Sequence, residues 1–239
     1  MDAPSASLNL RQVPILLRGE VEPISRWLEQ WDARRAWLCL AVILAGAGAY
    51  GAAMGCWRSP WQAGYVALKF PLIILLTTLG NALLNGMLAP LLGLNLRFRQ
   101  SLLAILMSFT IAAAILGAFS PIIFFLVWNL PPMTADAQAR HVAYDLLMLT
   151  QVAAIAFAGV VANLRLVQLL RRVSGSAAVA WKVLLGWLAG NLFLGSQLCW
   201  ICRPFFGAPH LPVEFLRPDA FHGNFYESVF RAMRELLFR

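Results

Sequence analysis

Charge is scarce in this sequence: 13% of its 239 residues are Asp, Glu, Lys or Arg, against about 25% in an ordinary soluble domain. That excludes a solvated surface of normal polarity, because 60% of the residues are hydrophobic and a globular core that large would aggregate. Lysine is nearly absent, 2 residues beside 17 arginines. The chain therefore has a formal charge of +8. Those basic residues flank apolar runs without interleaved aromatics, so the pattern suits anionic headgroups and excludes nucleic acid. Histidine is limited to His141, His210 and His222, scattered along the chain. The cysteines, Cys39, Cys56, Cys199 and Cys202, have no zinc-finger spacing with them, so no metal or other cofactor is expected. Serine, histidine and aspartate assemble into no hydrolase pattern, and a non-enzymatic protein is the expectation. No short basic start followed by a brief apolar stretch marks a cleaved signal peptide.

What the chain does have is five apolar stretches near the roughly 20 residues that a bilayer requires. The pattern predicts spans at 36–56, 62–87, 101–128, 142–164 and 178–201. The fold expected is an all-α polytopic membrane protein: a polar N-terminal segment 1–35, a five-helix bundle 36–202 and an aromatic, proline-rich tail 203–239. Amphipathic helices flank the bundle. Ile24, Trp27, Leu28 and Trp31 recur at helical spacing before span one. In the tail Asn224 and Glu227 form an N-cap signature ahead of an apolar face containing Phe225, Val229 and Phe230. Span one carries small residues every four positions, Ala47, Gly51 and Gly55, which suits close helix packing inside one bundle or a dimer face. Trp37, Trp57, Trp61, Trp128, Trp181 and Trp200 are expected at the water interfaces.

Lys and Arg number eleven in segment 1–35 and loops 94–100 and 165–182, and eight elsewhere. By the positive-inside rule the N-terminus is cytoplasmic and, after five spans, the tail is outside. The setting expected is a bacterial cytoplasmic membrane, with the lipid bilayer and a membrane-protein partner or second copy as partners.

Four groups of residues carry chemistry. Lys69 and Asp145 are opposite charges inside spans two and four. At 1.5 Å per residue they lie about 10 and 6 Å deep in the same leaflet, so a pair joining spans two and four is expected. Separate snorkelling to headgroup water is the alternative. Asn81 and Asn85 are four apart on one helical face and, with Asn191, suit interhelical amide bonds or a solute path. Cys199 and Cys202 form a CxxC level with Cys56, read as free thiols, a disulfide or a redox pair. Their place at a helix C-terminus disfavours thiolate. Arg203, Arg217 and His222, with His210, form a candidate surface cluster for an anionic headgroup, against a plain solvated loop.

Arg58-Ser59-Pro60-Trp61, Pro71 and the five-span layout resemble the Yip1 family of membrane-trafficking and bacterial membrane proteins. The tail residues Arg203-Pro204-Phe205, Gly207, Pro209, Phe215, Arg217 and Gly223-Asn224-Phe225 resemble a group of bacterial multi-pass membrane proteins, which carries over no activity or catalytic residue. The role expected is organising or partner-binding. A small transporter or channel is the alternative, and a membrane thiol oxidoreductase a third reading.

Overall fold

Asp32 opens the first helix by accepting the Arg34 N–H in its side chain, 2.9 Å away. In this computed structural model, which describes residues 32–94, 97–132, 136–207, 212–227 and 230, five long helices follow one another. They are α1 (Ala33–Gly55), α2 (Pro60–Leu91), α3 (Phe98–Asn129), α4 (Ala137–Ser174) and α5 (Ala177–Ile201). All five are long and apolar enough to cross a membrane, and there is no strand among the described residues. The expected helix 24–31 lies outside the described residues. Of the tail helix, Phe225–Glu227 is described, and its cap is formed: Glu227 N–H donates to Asn224 Oδ1 at 2.8 Å.

α1 packs on α2 and α3, while α2, α3, α4 and α5 each touch the next, with α5 returning to α2. α2 and α4 make no substantial contact. The small residues of span one work inside the bundle. A Cβ on Gly46 would run into the Ala113 carbonyl, and one on Gly55 would sit 2.7 Å from the Gln62 carbonyl. α1 and α3 bury 50% of their most apolar stretch, whereas α5 buries 22%. α4 and α5 thus leave broad apolar faces uncovered.

Proline does not break α3. Pro121 lacks the N–H that would reach the Gly117 carbonyl one turn back, and Ser120 Oγ takes that carbonyl instead, at 2.7 Å. α4 corrects the expected end of span four. It continues through Arg171 and Arg172 to Ser174, because Leu166, Val167, Leu169 and Leu170 keep one face in the core. Gly175, at φ 64°, then supplies the left-handed cap. Arg171 lies over the Trp181 ring, 5.8 Å from its centroid. Trp57 is buried, donating Nε1–H to the Pro131 carbonyl at 3.2 Å and packing on Tyr144. Trp37, Trp61 and Trp128 are exposed.

Candidate functional site

α2 divides into two faces. Trp61, Leu68, Leu72, Leu76, Leu79, Leu83 and Met87 are exposed along one. Gln62, Lys69, Thr77, Asn81 and Asn85 are buried along the other. From Gln62 to Asn85 this polar stripe rises about 35 Å, comparable to the full thickness of a bilayer's hydrocarbon core. Every polar atom carried to that depth needs a partner, since lipid offers none.

In its lower half the stripe binds α5. Asn81 Nδ2 donates to the Trp187 carbonyl at 3.1 Å and to Asn191 Oδ1 at 2.6 Å, while Asn85 Nδ2 donates to Asn81 Oδ1 at 2.7 Å. The three asparagines named from the sequence thus form one network. Gly190 makes room for it, because a Cβ there would stand 2.6 Å from Asn81 Oδ1.

In its upper half the stripe binds the tail. Lys69 Nζ donates to the Pro204 carbonyl at 3.0 Å and lies 5.2 Å from the centroid of the Phe215 ring. Gln62 Nε2 reaches the Pro204 and Phe205 carbonyls, both at 2.9 Å. Tyr65 meets Phe215 edge-on, and Tyr144 of α4 meets Phe206. The expected Lys69–Asp145 pair is therefore not formed. Lys69 sits on a buried face of α2 and Asp145 is exposed on α4, two helices without substantial contact.

Four side chains hold the rest of the tail. Arg203 makes an ion pair with Asp219 at 2.9 Å and lies 3.8 Å from the centroid of the Trp200 ring. Trp200 Nε1 donates to the His222 carbonyl at 3.3 Å, and Tyr226 stacks on Phe193 of α5. The hydrogen bond from Arg203 holds the Asp219 carboxyl below its ordinary value. Of the expected surface cluster, Arg203 is committed to Asp219. Arg217 is half-buried without a hydrogen bond or ion pair to a described residue through its guanidinium, the His222 side chain is exposed, and His210 lies outside the described residues. All four cysteines are free thiols. Burial pushes the Cys202 thiol up against the pull of the Lys69 charge.

Gln62, Thr77 and Phe215 are the members that sequence reading passed over. The signal for the first two was present: they continue the Asn81–Asn85 face at intervals of four, seven or eight residues. Phe215 carries no such signal, because only the folded tail brings it over Lys69. No protein-family model, curated protein or solved structure matches the chain.

Proposed function

We propose that the chain is a non-enzymatic integral membrane protein with an organising or partner-binding role in a bacterial cytoplasmic membrane, its N-terminus cytoplasmic and its tail outside. The observation that carries this reading is the fate of the α2 stripe. Gln62 and Lys69 spend their hydrogen bonds on the tail and Asn81 on α5, with Asn85 bonded to Asn81, which holds the protein's own parts together. Outward, α4 and α5 offer Leu149, Val152, Leu185, Leu192 and Phe193 to lipid, to another membrane protein or to a second copy. The Yip1-like layout agrees with such a role. Arg97, Arg99, Arg165, Arg171, Arg172 and Lys182 gather at the helix ends opposite the tail, which supports the orientation. A photo-crosslinking residue at Leu149 or Phe193 in living cells tests the role: a discrete protein adduct is expected, and adducts with lipid alone at both positions would sink it.

One observation favours transport as a second reading. Gln151 is buried in α4 with neither amide atom bonded, and Thr77 Oγ1 and Asn85 Oδ1 on the α2 stripe are likewise unbonded. Proteoliposomes loaded with a pH-sensitive dye decide it. A proton leak above that of empty liposomes, reduced by Gln151→Leu, would replace the organising role.

A further inference from the structure

We propose that Lys69 and Arg217 form a binding site for a phosphate mono- or diester, closed over by the tail in this structure. The starting point is a buried ammonium with donors to spare. Lys69 has no exposed surface, and of its three N–H donors one is spent, on the Pro204 carbonyl at 3.0 Å. No carboxylate of a described residue lies within ion-pair distance of it. A charge removed from water normally has a counter-charge, since desolvation otherwise outweighs what a neutral carbonyl returns.

Arg217 supplies the second half. It stands within electrostatic range of both Lys69 and Asp219, and its guanidinium makes no hydrogen bond or ion pair with a described residue. Asp219 is already held by Arg203 at 2.9 Å. Glu214, three residues before Arg217, makes no ion pair with a described residue either. Two cations within electrostatic range of one another, neither with a carboxylate of a described residue at ion-pair distance, attract an anion. The ammonium is a point charge and the guanidinium a planar fork, a combination that suits the several oxygens of a phosphoryl group.

The walls are apolar. Phe215 covers Lys69 and is braced by Tyr65, and Leu216 and Phe221 of the same segment are exposed. A lipid headgroup phosphate would place its acyl chains against these residues, whereas a free phosphate ion would not use them. Binding requires the tail to lift, because Lys69 is sealed. The anion then replaces the Pro204 carbonyl as the ammonium's acceptor, exchanging a neutral acceptor for a charged one. The site stands whichever side of the membrane the tail faces.

The test uses the full chain, delipidated in a maltoside detergent. Thermal unfolding is followed against inorganic phosphate, against short-chain phosphatidylglycerol and against the matching diacylglycerol, which lacks the phosphate. Saturable stabilisation by phosphatidylglycerol and not by diacylglycerol is expected, and Arg217→Gln should weaken it about tenfold or more. Stabilisation by inorganic phosphate as well assigns the site to the free anion, and stabilisation by the lipid alone to a headgroup. No stabilisation by either phosphate compound, or equal affinity in Arg217→Gln, overturns the proposal. Arg217 carries the decision because its guanidinium makes no hydrogen bond or ion pair with a described residue, whereas Lys69→Met would also release the tail.

Discussion

Along α1 the contacts are made by atoms that are missing; along α2 they are made by atoms that are added. Gly46 and Gly117 let α1 and α3 meet backbone to backbone, and Gly51 and Gly55 do the same against α2. Asn81, Lys69 and Gln62 instead reach out from α2 to α5 and the tail. Both solutions answer one problem. Lipid tails are as apolar as leucine, so burying apolar surface against another helix gains little over leaving it in lipid. What remains is close packing or polar bonding. The consequence is asymmetric: the α1 seam tolerates no added volume, and the α2 seam tolerates no lost polar group.

The sharpest way to break that comparison is to add volume to the first seam. Gly46→Leu should be the most damaging single change, costing about 3 kcal/mol, the upper end of overpacking, because its Cβ alone meets the Ala113 carbonyl. Gly64→Leu is the control, with nothing within 4 Å of its Cβ. Size-exclusion profiles and unfolding midpoints in detergent should separate the two, and equal behaviour would mean that α1 and α3 do not touch there. Next comes a polar loss in the second seam. Asn81→Leu removes three amide bonds, each worth about 0.6 kcal/mol in a membrane, for a total of about 2 kcal/mol. Were Asn81→Leu the more damaging of the two, the order of the seams would be reversed.

The sequence made the spans legible because hydropathy over about 20 residues is a local property. The last ten residues of α4 were not, since Arg165, Arg171 and Arg172 read as a polar loop while Leu166, Leu169 and Leu170 hold that stretch helical from the far side. The asparagine network was half legible. Asn81 and Asn85 share a face by spacing, but Asn191 joins them only because α5 lies on α2. The acceptor of Lys69 had no signature at all: it is a backbone carbonyl, and any residue type carries one. Depth can be counted along a helix, whereas the azimuth that chooses neighbours is set by the glycines of α1 and α3.

A smaller effect tests how the tail is latched. The Asp219 carboxyl is held below its ordinary value by the Arg203 hydrogen bond, and both lie at the water-exposed end of the stripe's upper half. A depressed folded-state value means that its contribution is complete above the unfolded carboxylate value, about pH 4, and is lost as pH falls through the folded value. The difference in unfolding midpoint between wild type and Asp219→Asn should therefore be constant near neutrality and vanish once pH has fallen below the folded value. A difference unchanged at low pH would show that the ion pair contributes nothing, leaving the tail to the Lys69 and Gln62 hydrogen bonds and the aromatic contacts of Trp200, Phe215 and Tyr226.

The smallest effect expected is a coupling of zero. Lys69 and Asp145 are the opposite charges within the spans whose depths match, and depth alone pairs them. The packing separates them: Lys69 is enclosed by the Pro204 carbonyl and the Phe215 ring, and Asp145 faces away on a helix that α2 does not substantially touch. Lys69→Met should destabilise, because it unlatches the tail, and Asp145→Asn should change stability by less than about 0.5 kcal/mol, as surface substitutions do. In the double mutant the two losses should add to within about 0.5 kcal/mol, as they do for sites without shared partners. A coupling energy larger than that would place the two charges in contact, move α4 against α2 and undo the arrangement in which the stripe of α2 bonds to α5 and the tail.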